Sequence, residues 1–359
     1  MIKKSQFFYL RSSLKFLLLF PLGCSSSNDK GFTSFAVPKE AESEFQLSEI
    51  AKSVEYISLE TSEASYLSLV QDVKSYKDRL YVVDFPGRIL VFDKDGKFIQ
   101  QIGVEGEGPG EFHNLSSFTI DDDSKTLLVA SGRRLISYSL DNEYITEKTF
   151  PFFIDYIEII DKSINLVAGE DGVKSGDKFV NQRSLFKINS DLEIVDSIPL
   201  IYREMNEQTG ASYPYKNFIS TIEEEKYIYT PVLTNESIIR DTLFKIDGLV
   251  LNPSTKLDFA PPLLNKDGNK LILIKNMILS KNFLICEYNR EGKNMFFIGD
   301  RRNDSSINLN NGISIDNGET VVLRPLDLSQ DQFYFVKTYN YSDVSEEELN
   351  PMIGIVILN

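Results

Sequence analysis

The chain has 359 residues, of which 42% are apolar and 25% charged, a balance that supplies a sizeable core and excludes wholesale disorder. Its 38 Lys and Arg against 53 Asp and Glu give a net charge of -15, which repels a polyphosphate backbone and argues against a nucleic-acid role. One histidine, His113, and two cysteines, Cys24 and Cys286, cannot furnish a His- or Cys-rich zinc site, and Ser-His-Asp chemistry would have to rest on His113 alone.

Residues 1–15 carry Lys3, Lys4, Arg11 and Lys15 and no acid, and the apolar run 16–22 ends at Gly23-Cys24. This is the layout of a secretory signal. The run is far shorter than the roughly 20 residues a helix needs to cross a bilayer, and no later stretch is apolar for long enough. Leu22-Gly23-Cys24 followed by Ser25-Ser26-Ser27-Asn28-Asp29 resembles a bacterial lipoprotein signal, with Pro21 standing where that pattern usually has Leu. The resemblance implies cleavage after residue 23, acylation of Cys24, and an address at the outer membrane, facing the periplasm or the surface. Cys286 is then left without a disulfide partner and reads as a small buried hydrophobe within the apolar run 283–288. Without residues 1–23 the chain keeps 34 basic and 53 acidic residues, a net -19, so it would meet the membrane through its acyl chains and not through charge. Residues 24–52 are expected to form the lipidated terminus and tether, with one helical turn at 47–51.

From residue 53 to 359 short runs of Val, Ile, Leu, Phe and Tyr alternate with Asp, Asn, Gly and Lys clusters, an all-β pattern. The clearest unit is a three-stranded meander. It runs from 80–84 through a Pro86-Gly87 turn to 89–92, then through Asp93-Lys94-Asp95-Gly96 to 98–102. Comparable units begin near Leu127, Ile164, Tyr227, Phe283 and Phe333, roughly 50 residues apart, close to the spacing of propeller blades. The predicted fold is a six-bladed β-propeller in which the strand at 54–59 completes the last unit; a pair of β-sandwiches is the alternative. Ser345-Glu346-Glu347-Glu348 has capping-box spacing for a short helix.

At Asp93-Lys94-Asp95-Gly96-Lys97-Phe98, and on through Gly106-Glu107-Gly108-Pro109-Gly110-Glu111-Phe112, the sequence resembles the six-bladed propeller lipoproteins of Bacteroidota, relatives of NHL-repeat propellers. That resemblance implies an exported, lipid-anchored propeller and supplies no catalytic residues.

Little in the sequence commits to chemistry. The run 103–110 is rich in glycine, but no Lys-Ser/Thr follows and Glu105, Glu107 and Glu111 lie within it, so it reads as the link between the first two units. Glu105 and Glu107 remain candidates for a ligand-facing loop, as do Tyr202, Tyr213 and Tyr215, which with Phe218 form an exposed-looking aromatic group in the long segment 201–220. No cofactor is expected apart from calcium, for which Asp121-Asp122-Asp123 is a candidate run, though Ser124-Lys125 marks a solvated turn. His113, Arg133-Arg134 and Arg301-Arg302 read first as turn residues. The functional expectation is a binding module for a protein, peptide or glycan partner. The alternative is a hydrolase or lyase using carboxylates or calcium at the propeller axis, which a cluster of buried acids with shifted pKa values would favour.

Overall fold

The computed structural model describes residues 32–42, 45–85, 87–210, 213, 215–234, 236–316, 318–339 and 348–359. The signal segment, Cys24, Pro86 and residues 345–347 of the capping box lie outside the described residues. Among the described residues the protein is built of strands and 3-10 turns, with no α-helix.

A first strand, β1 (Thr33–Val37), and a 3-10 turn at Leu47–Glu49 precede β2 (Ala51–Ser58). Sheet I follows as β3 (Val70–Tyr76), β4 (Arg79–Asp84), β5 (Arg88–Asp93) and β6 (Phe98–Ile102). Sheet II is β7 (Leu115–Asp121), β8 (Thr126–Ser131), β9 (Arg134–Ser139) and β10 (Tyr144–Thr149). Sheet III is β11 (Phe153–Ile160), β12 (Ser163–Ser175), β13 (Lys178–Ile188) and β14 (Ile194–Met205). Sheet IV is β15 (Ile219–Ile222), β16 (Glu225–Ile228), β17 (Thr242–Asp247) and β18 (Val250–Phe259). Sheet V is β19 (Ile272–Leu279), β20 (Phe283–Arg290), β21 (Lys293–Asp300) and β22 (Ser305–Asn310). After a small ribbon of β23 (Ile313–Ser314) and β24 (Thr320–Val321), sheet VI is β25 (Arg324–Asp327), β26 (Gln332–Lys337) and β27 (Met352–Leu358), with β2 paired antiparallel to β27.

Sheets I, II, III and V are up-and-down meanders with short turns, and the middle strands of sheet I are apolar on both faces. Leu80 to Val83 and Ile89 to Phe92 are all buried, whereas β6 alternates in its exposure. The turns share one device. Asp93 Oδ1 accepts from the backbone N–H of Asp95 and Lys97, both at 2.9 Å. Asn189 does the same for Asp191 and Glu193, and Asn265 for Asp267 and Asn269.

Apolar clusters join the sheets in sequence: I with II, II with III, III with IV, and IV with V and VI. A further cluster joins Tyr334 and Ile353 of sheet VI to Val73, Leu80 and Phe92 of sheet I. The result is an all-β, propeller-like succession of small sheets.

The tether expected over 24–52 needs correction where it is described. β1 adds to the outside of sheet IV, parallel to β18, with Phe35 and Val37 only 2% exposed. Phe35 packs edge-on against Phe297, ring centroids 6.2 Å apart. Gly299 makes the room, since a Cβ there would come within 2.8 Å of the Phe35 ring. The helical turn expected near 47–51 is present as the 3-10 turn, where the Gln46 N–H donates to Glu49 Oε1 at 2.8 Å.

Candidate functional site

The first strands of the sheets carry polar residues at a recurrent irregularity. β3, β7, β11 and β19 each shift register against the next strand, just before Asp72, Ser117, Tyr156 and Asn276 respectively. A bulge re-aims the side chain that follows it, and bulges concentrate beside functional sites. Beside three of them, β3, β7 and β11, lies a cavity of about 420 Å³ that residues of β15 and β25 also wall, within the usual range of about 300–1,000 Å³ for ligand sites.

Asp72 is the most perturbed acid of this cavity. Its Oδ1 accepts from the Val73 N–H at 3.0 Å and from the Tyr334 hydroxyl at 3.3 Å. Burial raises its pKa above the ordinary 3.8, outweighing the opposing pull of the Lys74 and Arg324 charges. Lys74 Nζ stands 3.8 Å from Glu158 Oε2, and 5.5 and 5.6 Å from the ring centroids of Phe118 and Tyr156. The Tyr156 hydroxyl donates to Glu158 Oε2 at 2.7 Å, and burial holds its pKa well above the usual value. Nearby, Arg324 forks onto both carboxylate oxygens of Glu287 and lies 3.9 Å over the Tyr215 ring.

Because the native Asp72 carboxyl holds its proton to higher pH than the unfolded one, stability falls as pH rises from about the ordinary aspartate value through the raised one. Asp72→Asn keeps an acceptor for Val73 and Tyr334 and removes the buried charge. It is expected to raise the melting temperature at neutral pH and to flatten its dependence on pH. A variant less stable than wild type at neutral pH would show that the carboxylate is needed by Lys74 and Arg324.

The residues singled out in the sequence fall in other places. Glu105, Glu107 and His113 do come together, on the link between β6 and β7. His113 Nδ1 is 3.2 Å from Glu105 Oε1 and His113 Nε2 is 3.7 Å from Glu107 Oε1, beside a hollow of about 130 Å³. The link is held by its own chain: Glu111 Oε2 accepts from the Gly108 N–H, and Arg134 donates to the carbonyls of Gly108 and Glu111. Gly103 and Gly110 have φ of 65° and 72°, conformations that favour glycine.

The aromatic group of 201–220 is not an exposed cluster. Tyr202 is 61% exposed, with its hydroxyl 3.3 Å from Glu204. Tyr213 and Phe218 are buried edge-to-face at 5.5 Å, and Tyr215 is covered by Arg324. The carboxylates of 121–123 are drawn apart. Asp121 caps its own turn, Asp122 pairs with Lys125, and Asp123 with Lys162. No group of three His, Cys, Asp or Glu side chains that could hold a metal occurs among the described residues. Arg133 bonds Glu170, Arg134 bonds Glu147, Arg301 bonds the Ser280 and Lys281 carbonyls, and Arg302 bonds Asp300. Cys286 is fully buried, and burial pushes its thiol pKa up.

A family model, described as a domain of unknown function, DUF4934, matches residues 33–354. The chain belongs to the DUF4934 family. Among solved structures, the DUF4934 chain is similar to BF0058 of Bacteroides fragilis, named an exported protein, with a TM-score of 0.66 at 18% identity over 91% of this chain and 99% of that one. The WD40 domain of Neurospora crassa Pan2 gives 0.44 at 11% identity, over 81% and 75% of the two chains. XC5397, a gluconolactonase of Xanthomonas campestris, gives 0.48 at 11% identity, over 87% and 92%. BF0058 shows a shared fold; the other two are too distant to bear on function. None of the curated proteins matches the sequence.

Proposed function

We propose that this DUF4934 protein is an exported, lipid-anchored, six-bladed β-propeller that serves as a binding module for a protein, peptide or glycan partner, with the axial cavity as its binding site. The observation that carries this reading is the cavity of about 420 Å³ between the first strands of five sheets, with side-chain polar groups converging on it. Six blades are supported by six sheets of four or more strands and by apolar clusters that run from sheet I round to sheet VI and back to I. The pairing of β2 with β27 supplies the fourth strand of the last blade, a closure that leaves only short edges. Export is supported by the cationic, then apolar, N-terminal sequence and by the exported description of BF0058.

A second reading, a hydrolase or lyase working through carboxylates at the axis, is favoured by the raised pKa of Asp72. Against it, the neighbouring carboxylates are occupied: Glu158 by Tyr156 and Lys74, Glu287 by Arg324. A thermal-shift screen against glycans, peptides, calcium and a chelator separates the readings, since a ligand that binds only the folded state raises its melting temperature. A ligand recovered unchanged after binding supports the module; a ligand converted to product supports the enzyme.

The anchor has its own test. Cys24→Ala is expected to abolish palmitate labelling and to release the protein from the membrane fraction, because the net -19 of the processed chain gives it no attraction to anionic lipid. Unchanged membrane retention would overturn the lipid anchor.

A further inference from the structure

Resting on the binding-module reading, we propose that the axial cavity takes a neutral, polyhydroxylated ligand of mono- or disaccharide size. Charges of both signs stand on its wall. Lys74 faces Glu158 at 3.8 Å, Glu158 also accepts from Tyr156, and Asp327 accepts from the Ser329 N–H at 3.0 Å. An anionic ligand would meet Asp72, Glu158 and Asp327, and a cationic one would meet Lys74 with Arg324 close to Asp72. Either would meet like charge on the wall as it gave up its hydration, which a neutral ligand does not.

What the cavity does offer is neutral hydrogen-bonding capacity. Among the described residues the Thr119 and Thr221 hydroxyls and the Gln332 amide, all on the wall, make no hydrogen bond within the chain. Asn217, also on the wall, lies 3.5 Å from the Tyr156 hydroxyl through its carbonyl oxygen. These groups open onto the cavity, where a ligand that displaces their water must both donate and accept in its place. Hydroxyls do both. Ile120, Ile159 and Ile219 complete the wall and suit the C–H faces of a sugar ring. The volume, about 420 Å³, bounds the ligand to one or two rings.

The test is titration calorimetry on the full chain in detergent, with glucose, galactose, maltose and lactose against glucosamine and glucuronate. At least one neutral sugar is expected to bind in preference to its charged analogues. The double variant Thr119→Val and Thr221→Val is expected to weaken that binding about tenfold or more. Since neither hydroxyl is bonded within the fold, the variant should unfold at the wild-type temperature, and Thr119→Ser with Thr221→Ser should restore binding. Preference for glucosamine or glucuronate, binding unaffected by the valine pair, or no binding of any of the six sugars would overturn the proposal. The module reading fails separately, if in addition no protein or peptide crosslinks to the cavity mouth on whole cells.

Discussion

Arg183→Leu is expected to lower the free energy of unfolding by about 3–5 kcal/mol, the cost of stranding charges that a buried cation had paired. Arg183 on β13 is 6% exposed and reaches across sheet III to Asp155 on β11, at 2.9 Å, and Asp171 on β12, at 2.7 and 3.1 Å. Burial alone would oppose its charge, but the hydrogen bonds to Asp171 and the charge of Asp155 outweigh it and hold the guanidinium above its ordinary pKa. Gly169, paired with Arg183 across the two strands, leaves room for this crossing, since a Cβ there would come 2.7 Å from Arg183 Cγ. Lys216 remains 3.7 Å from Asp155, and burial already disfavours its charge. Arg183→Lys should recover little, because an ammonium cannot fork onto Asp171 while reaching Asp155. Urea unfolding at neutral pH measures this. A lysine variant as stable as the wild type would show that the fork onto Asp171 contributes nothing and that a point charge beside Asp155 suffices.

The parts of the fold that the sequence makes plain are those where burial and local turn chemistry agree. β4, β5 and β8 lie between two other strands and read as unbroken apolar runs, and Asp93-Lys94-Asp95-Gly96 is a turn by residue type alone. The first strand of each sheet is hidden for the opposite reason. Gln71-Asp72-Val73-Lys74-Ser75 looks like a polar loop, yet it is a strand whose register shift before Asp72 turns it to the cavity. The candidate site suffers the same fate, since Asp72, Glu158, Asn217 and Arg324 stand on or beside four different first strands and no local spacing relates them. Tyr213 and Phe218 looked exposed because the cover they receive, from Arg183 and Tyr156, comes from strands far off in the chain. β1 was missed because a five-residue strand added to an outer edge needs only Phe35 and Val37 to be apolar.

Asp331→Ala is expected to cost about 3–5 kcal/mol, from three donors left without an acceptor and a backbone conformation that alanine adopts poorly. Asp331 is 4% exposed and sits in the turn between β25 and β26 with φ of 53°. Its carboxylate reaches into the β19–β20 turn of sheet V, accepting from the Ser280 hydroxyl at 2.6 Å, the Asn282 N–H at 2.9 Å and the Asn282 side-chain amide at 2.6 Å. Sheets V and VI are thereby latched at their turns as well as through the apolar cluster they share. Asp331→Asn tolerates the same φ and keeps the Oδ1 acceptor, but turns a donor toward the Asn282 amide, so about 1–2 kcal/mol should be lost. Chemical denaturation ranks the three proteins. If alanine and asparagine cost the same, the bonds to Oδ1 contribute nothing and the backbone bond from Lys281 N–H to the Leu328 carbonyl, at 2.9 Å, holds the two turns by itself. If alanine costs more, as expected, the latch accounts for why an acidic residue is kept in a nearly closed turn of a chain that already carries excess negative charge.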